Sequence, residues 1–180
     1  MRESKSLKNS LLSTSRGISA IKIGMKRILN GAQKTSTGID MMTNYGRVGI
    51  TFSTFDLLHA GHILMLEEAS KQCDYLVAAL QSDPTVDRPT KNKPIQTLYE
   101  RYIQLQGCRY VDEIIPYTTE EEVKLILESR KFDVRIIGED YLDLDFTGKD
   151  ICEQRGIEIY YNARQHHLSS SELRRRLQNG

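Results

Sequence analysis

From residue 48 onward, short apolar runs alternate with longer segments in which apolar residues recur every three or four positions. The short runs have the length and composition of β-strands, and the longer segments have helical spacing. The predicted strands are Val48–Ser53, Tyr75–Leu80, Glu113–Ile115 (ended by Pro116), Val134–Gly138 and Ile157–Tyr161. The predicted helices are His62–Gln72, Leu98–Gln106, Thr119–Ser129, Asp150–Gln154 and Ser169–Leu177.

Residues at the ends of these segments support the assignment. Thr119 and Glu122 form a capping box, in which each side chain satisfies the other's exposed backbone N–H. Gly107 and Gly156 lie just beyond predicted helix ends, where glycine suits the left-handed turn that follows a helix. Residues 82–96 are polar and carry three prolines, which predicts a long loop.

Strands that alternate with helices, several of them apolar throughout, predict a parallel sheet covered by helices on both faces. Ligands of such open sheets bind beyond the carboxyl ends of the strands. We therefore expect a site among the loops that follow Ser53, Gln81, Gly138 and Tyr161.

Residues 1–46 differ in composition from the rest of the chain. They carry eight basic and two acidic side chains, a net charge of +6, whereas residues 47–180 carry a net charge of −5. We predict a mostly disordered basic tail with a short helix near Ile18–Leu29, followed by a folded domain over residues 47–180. The composition of the tail also resembles an organelle transit peptide. We favour a plain tail or a mis-assigned start codon.

The whole-chain composition excludes several classes of protein. The 180 residues are 39% hydrophobic and 27% charged, which fits one globular domain and a tail. The formal charge of +1 argues against binding to nucleic acid through bulk charge. No apolar run approaches the ~20 residues that a membrane span needs.

Three cysteines, Cys73, Cys108 and Cys152, lie far apart along the chain. Their odd number prevents complete pairing within the chain, and no CxxC spacing suggests a metal site. We expect buried free thiols in a reducing cytosol, and therefore a cytoplasmic protein.

The loop after the first predicted strand carries the strongest candidate chemistry. Residues 54–62 read TFDLLHAGH, and a helix follows at once. A helix N-terminus suits phosphate, and Gly61 lets the backbone approach it closely. Imidazoles at His59 and His62 can stabilise the charge that builds up when an α-phosphate is attacked. Taken alone, the two histidines also fit a capping His59 with a buried His62, or a metal pair without a suitably spaced third ligand.

The segment resembles the HxGH signature of nucleotidyltransferases that join CTP or ATP to a small phosphorylated compound. Further landmarks follow in order: Arg109–Glu113 resembles R-Y-V-D-E, Gly138–Tyr141 resembles G-D-D-W, and Arg164 with Leu168–Ser171 resembles R-T-x-G-I-S-T-T. The resemblance covers about residues 47–178 and is greatest to the glycerol-3-phosphate cytidylyltransferases. It implies a Rossmann-like, doubly wound, five-stranded parallel sheet with helices on both faces.

The resemblance also implies a reaction. A phosphate oxygen of an acceptor, most simply glycerol 3-phosphate, attacks the α-phosphorus of CTP in line, and pyrophosphate leaves. The alternatives are an adenylyltransferase that acts on a sugar phosphate or cofactor precursor, and a non-catalytic nucleotide-binding module. We expect Mg²⁺ held mainly by the CTP phosphates. A homodimer is expected from the resemblance alone.

The resemblance assigns roles residue by residue. The expected catalytic residues are His59, His62 and Lys93. The expected nucleotide-binding residues are Thr54, Phe55, His59, Ala60, Gly61, His62, Arg109, Asp140, Arg164, Ser169, Ser170 and Ser171. The expected substrate-binding residues are Lys91, Lys93 and Lys124. Lys93 is the best positional match, and Lys91 the next, for a family lysine that reaches both the α-phosphate and the acceptor's phosphate.

The serines near the C-terminus also make physical sense by themselves. Ser169 can cap the last helix with Glu172 three residues on, and a plain capping box is the simpler interpretation. Beside the HxGH segment, the same helix end becomes a second phosphate cradle, with Arg164 as a planar cation. We interpret Arg174–Arg176 as solvated or favoured by the helix dipole. The sequence thus predicts that two distant helix N-termini meet at one triphosphate.

Overall fold

The structure is a computed structural model that describes residues 45–163 and 168–178. All pairings between neighbouring strands are parallel, and the strand order is β3-β2-β1-β4-β5. The strands are β1 (Val48–Ser53), β2 (Tyr75–Gln81), β3 (Glu113–Tyr117), β4 (Val134–Gly138) and β5 (Glu158–Asn162). The order reverses between β1 and β4, which is the point where open sheets of this kind bind ligands.

Helices cover both faces of the sheet. They are α1 (Ala60–Ser70), α2 (Leu98–Gln106), α3 (Glu120–Ser129), α4 (Lys149–Arg155) and α5 (Ser170–Gln178), with short 3₁₀ turns at Pro84–Val86 and Glu139–Tyr141. Leu66 of α1 and Leu105 of α2 belong to one core. Leu127 of α3 and Ile151 of α4 belong to the other. The predicted Rossmann-like, doubly wound sheet is confirmed.

Most elements match the predicted bounds to within one residue, and two differ by more for clear local reasons. Helix α1 begins two residues before the predicted start, because the side chain of His59 caps it by accepting from the Gly61 N–H at 3.1 Å. Strand β3 continues through Pro116, where we predicted its end. It is an edge strand that pairs with β2 alone, and an exposed edge proline removes no hydrogen bond that the sheet needs.

The helix ends mostly follow the sequence signals. Both halves of the capping box between Thr119 and Glu122 are present. Gly156 takes the left-handed conformation after α4, with φ 66°. Gly107 follows α2 as expected but stays right-handed, with φ −78°. The hydroxyl of Ser169 accepts from the Glu172 N–H at 3.1 Å and so caps α5.

The predicted tail and its helix near Ile18–Leu29 lie outside the described residues, apart from positions 45 and 46. The three cysteines, all within the described residues, form no disulfide. Cys152 is buried as predicted, but Cys73 and Cys108 are only half-buried. In the described part of the chain, the helices are too short and too polar to cross a membrane.

Candidate functional site

A cavity of about 800 Å³ opens at the carboxyl edge of the sheet. Three sets of residues line it. The strand ends contribute Ser53, Gly138 and Asn162, the beginning of α1 contributes His59, Gly61 and His62, and the beginning of α5 contributes Ser169, Ser170 and Ser171. This is the edge at which the alternating pattern predicted a ligand.

His59 links the two helix N-termini. Its Nδ1 accepts from the Gly61 N–H at 3.1 Å, and its Nε2 lies 3.2 Å from the Ser170 hydroxyl. That hydroxyl in turn donates to the backbone carbonyl of Asp56 at 3.1 Å. Because Nδ1 accepts and Ser170 donates elsewhere, the neutral ring carries its proton on Nε2 and donates it to Ser170. The predicted meeting of the two helix ends is present in the fold.

His62 faces the cavity beside His59. The two rings stack with centroids 4.0 Å apart at an interplanar angle of 22°. Behind them, the fully buried Phe55 ring lies 5.5 Å from the His62 ring. His62 is half-buried rather than part of the core, so the alternative of a core histidine does not hold. His59 caps α1 and lines the cavity at the same time.

The loop between β1 and α1 has an unusual backbone. Phe55 and Leu57 both take positive φ, at 49° and 51°, a conformation that costs about 1–3 kcal/mol for a residue other than glycine. Neighbouring groups hold the loop in place. The Leu57 N–H donates to the Gln96 side chain at 2.7 Å. Asp56 lies between Phe55 and Leu57 in the sequence, and its carboxylate accepts from the backbone N–H groups of Ile95 and Gln96.

A buried guanidinium, that of Arg101 on α2, supports the same edge of the sheet. It donates to four backbone carbonyls, those of Gln96, Thr54, Gln81 and Ser82, at 3.1, 2.8, 2.5 and 2.5 Å. Burial lowers the pKa of Arg101, while the carboxylates of Asp56 and Asp83 raise it. Arg101 therefore fixes the ends of β1 and β2 relative to the loop that leads into α2.

A second cavity of about 800 Å³ adjoins the first. In it the Arg135 guanidinium lies over the rings of Phe52 and Phe146, 4.9 and 4.8 Å from their centroids. The Glu120 carboxylate is 3.0 Å from Arg88 and also accepts from the Thr147 hydroxyl. The two cavities share several lining residues: Phe52, Lys91, Tyr117, Ile136, Ile137 and Tyr141.

The structure brings most of the predicted site residues together. Those that line the first cavity are Thr54, His59, Gly61, His62, Lys91, Ser169, Ser170 and Ser171. Ala60 is the exposed first residue of α1, and Phe55 lies behind the histidines. Lys124 lines the second cavity. Asp140 is exposed in the turn after β4, between Gly138 and Tyr141, which both line the first cavity.

Three predicted residues are not placed there. The Lys93 side chain is 79% exposed with its Nζ 4.0 Å from the Asp83 carboxylate, and Lys91 rather than Lys93 lines the cavities. Arg109 precedes β3, so it lies at the amino edge of the parallel sheet, opposite the cavity, with its guanidinium 5.7 Å from the Tyr110 ring. Arg164 lies outside the described residues.

Sequence reasoning missed several residues of this region. Arg174 is not solvated as predicted, since its Nη2 lies 2.6 Å from the buried carboxylate of Asp56. Arg175 lines the first cavity and pairs with Glu172 at 2.7 Å. The signal available for Arg174 was its spacing of four residues from Ser170, which places the two on one helix face.

Comparisons with known proteins agree with the geometry. The chain matches the family model described as cytidylyltransferase-like over residues 50–176. It is 36% identical over 126 residues to glycerol-3-phosphate cytidylyltransferase of Bacillus subtilis, covering 69% of this chain and 92% of that protein. It is 31% identical over 139 residues to the probable ethanolamine-phosphate cytidylyltransferase of Encephalitozoon cuniculi, covering 73% of this chain and only 40% of that protein.

A solved structure supports the fold. The lipopolysaccharide core biosynthesis protein of Thermoplasma volcanium superposes with a TM-score of 0.52 at 23% identity. The match covers 66% of this chain and 95% of that one. The topology described above is therefore also found in a solved structure.

Proposed function

The chain belongs to the cytidylyltransferase-like family of nucleotidyltransferases, and from this premise we propose that it transfers a cytidylyl group from CTP to a small phosphorylated alcohol, glycerol 3-phosphate. A phosphate oxygen of the acceptor attacks the α-phosphorus of CTP. The bond from that phosphorus to the oxygen bridging it to the β-phosphate breaks, and pyrophosphate leaves. The contact that carries the proposal is the 3.2 Å approach of His59 and Ser170, which joins two helix N-termini over one cavity.

In this proposal the chain stabilises charge without a covalent intermediate. His62, at the start of α1, donates an N–H group to the α-phosphate as its charge rises, and the Nε2–H of His59 is shared between that phosphate and Ser170. Ser169, Ser170 and Ser171 at the start of α5 hold the β- and γ-phosphates, which become the leaving pyrophosphate. Because both sets are held in place before CTP binds, little reorganisation is needed during the reaction.

Lys91 is the lysine that we assign to the two reacting phosphates. It lines both cavities, so its ammonium can lie between a nucleotide in the first and an acceptor in the second. Sequence register favoured Lys93, but that side chain is directed to solvent and to Asp83. An ammonium between two phosphates lowers their mutual repulsion and so favours the in-line approach.

The second cavity suits an acceptor that carries a phosphate and free hydroxyls. Four basic residues line it: Arg88, Lys91, Lys124 and Arg135. Three carboxylates also line it, those of Glu120, Asp145 and Asp150, and they can accept hydrogen bonds from the hydroxyls of glycerol. Glycerol 3-phosphate is compatible with both features.

We propose that Mg²⁺ binds mainly to the phosphates of CTP rather than to a site formed by protein side chains. Within residues 45–163 and 168–178, no group of three His, Cys, Asp or Glu side chains is arranged to hold a metal ion. The side chains near the histidines are instead hydroxyls, the cation of Lys91 and the carboxylate of Glu172, which already pairs with Arg175. An ion that keeps its water and binds phosphate oxygens fits this set, and it would neutralise the triphosphate.

A substrate panel tests the proposal. Pyrophosphate release is measured with CTP or ATP against glycerol 3-phosphate, ethanolamine phosphate and a hexose phosphate, with Mg²⁺ present or chelated. We expect turnover with CTP and glycerol 3-phosphate that stops on chelation. A preference for ATP would instead indicate an adenylyltransferase. Tight CTP binding without turnover on any acceptor would indicate a non-catalytic module.

The proposed homodimer is tested separately, because it rests on the resemblance alone. Sedimentation equilibrium of the full chain is expected to give twice the monomer mass of 20.6 kDa. A single species at the monomer mass across the working concentration range would exclude it.

A further inference from the structure

Helix α5 carries the serines assigned to the triphosphate, yet none of its residues is buried. Helices of globular proteins usually pack on the domain through a buried apolar face. Helix α5 has no such face. Polar contacts fix it instead. Two of them reach the same residue, Asp56, in the loop between β1 and α1.

The Asp56 carboxylate joins three segments of the chain. Its side chain is only 6% exposed, and its Oδ2 lies 2.6 Å from Nη2 of Arg174. It also accepts from the N–H groups of Ile95 and Gln96, each at 3.0 Å. The same Arg174 nitrogen donates to the Lys93 carbonyl at 3.2 Å. Helix α5, the β1–α1 loop and the loop that bears Lys91 thus meet at one ion pair.

The spacing along α5 makes this possible. Ser170 and Arg174 are four residues apart, so both side chains lie on the face of the helix directed at Asp56. Ser170 donates to its backbone carbonyl and Arg174 to its carboxylate. Arg176 belongs to a different face, where its Nε lies 4.0 Å from Glu172.

We propose that Arg174 is a positioning residue for nucleotidyl transfer, whose ion pair with Asp56 keeps the serines of α5 and the Lys91 loop assembled around the phosphate site. A pair with so little exposure is screened only weakly by salt. The kinetic part of this inference rests on the proposed cytidylyl transfer. The assembly itself does not, because it concerns contacts present without substrate.

Loss of the ion pair is expected to raise KM for CTP and to change kcat much less. Without the pair, α5 and the 82–97 loop are free to separate, so the state able to bind CTP is a smaller fraction of the protein. The apparent affinity for CTP falls by that fraction. Bound CTP then bridges the helix ends itself, so the chemical step changes less. A change that only reduced the amount of folded enzyme would lower kcat and leave KM unchanged.

The test compares R174Q with R174K and with R176Q, which removes an exposed arginine of the same helix. Each full-length variant is checked by circular dichroism, and KM and kcat are measured with varied CTP. Backbone hydrogen exchange at Ile95 and Gln96 is measured without substrate. The lysine variant is informative because one nitrogen of Arg174 makes both contacts, and an ammonium supplies the same charge.

We expect R174Q to raise KM for CTP about 10-fold with kcat within about 3-fold, the scale of one charged hydrogen bond. R174K should lie nearer the wild type, R176Q should match it, and exchange at Ile95 and Gln96 should rise only in R174Q. A KM for R174Q equal to that of R176Q, unchanged exchange, or failure of R174Q to fold overturns the inference. If the wild type itself does not use CTP, the proposed function fails, while the exchange comparison still decides whether the pair holds the loop.

Discussion

The Nε2 atom of His59 lies 3.2 Å from the hydroxyl of Ser170, across 111 positions of the chain. This contact turns two ordinary helix N-termini into one site, because each alone offers only a few backbone N–H groups. Strand order explains it. Helix α1 leaves the sheet at β1, and α5 follows β5 on the other side of β4, so both begin at the carboxyl edge near the switch point.

His62→Ala should lower kcat by about 100-fold, the scale of losing one preorganised donor to a charge that develops in the transition state. The fold should persist, because His62 is only half-buried and its ring contacts are with His59 and Phe55. Pyrophosphate release at saturating CTP and acceptor measures the effect. His62→Asn keeps an N–H donor and should retain more activity, and full activity in the alanine variant would remove His62 from the mechanism.

Ser170→Ala should raise KM for CTP about 10-fold and lower the free energy of unfolding by about 1–2 kcal/mol, because two hydrogen bonds are lost. One is the contact with His59 and the other the donation to the Asp56 carbonyl. Urea unfolding and CTP-dependent kinetics measure the two effects.

Ser129→Ala is the matched control, since its hydroxyl donates to the Ile126 carbonyl in an exposed turn of α3. It should change the free energy of unfolding by no more than about 0.5 kcal/mol and KM for CTP by no more than about 2-fold. Equal behaviour of the two alanine variants would show that Ser170 does not join the helix ends.

The central strands β1, β2 and β4 were predictable because most of their residues are buried, which requires apolar runs. Val48–Ser53 and Val134–Gly138 are short apolar runs with polar neighbours, and the structure places their ends at those residues. The predicted end of β3 before Pro116 was wrong, because proline is tolerated in an edge strand and a single sequence does not show which strand lies at the edge. Edge position depends on strand order, which local pattern does not specify.

The site was predictable where ligand chemistry depends on local sequence, as with His59 and Gly61 at a helix start. It was not predictable where function depends on contacts between distant segments. Arg174 in a run of three arginines has the composition of a solvated surface, and only the fold brings it to Asp56. Lys91 and Lys93 are equally basic, and the path of the loop, not composition, places Lys91 beside the cavities.

Lys91→Ala should lower kcat/KM about 10- to 100-fold, because a charge-assisted contact to phosphate is lost. Lys93→Ala is the matched control two residues away, and it should stay within about 3-fold of the wild type since its Nζ is 4.0 Å from Asp83 and otherwise exposed. Steady-state kinetics with both substrates varied separates the two. The opposite ranking would return the catalytic assignment to Lys93, as the sequence register suggested.

Arg101→Met should lower the free energy of unfolding by about 3–5 kcal/mol, the range found when one partner of a buried charged network is removed. The methionine fills similar space but leaves the carbonyls of Thr54, Gln81 and Ser82 without their donor. Urea unfolding followed by circular dichroism measures the loss.

Arg155→Met is the control. Arg155 likewise donates to backbone carbonyls, those of Glu128 and Arg130, but these contacts are exposed, so water can replace the guanidinium. Equal losses in the two variants would mean that burial of Arg101 adds nothing. A larger loss for Arg101→Met would show that the buried Arg101 guanidinium stabilises the ends of β1 and β2 next to the cavity.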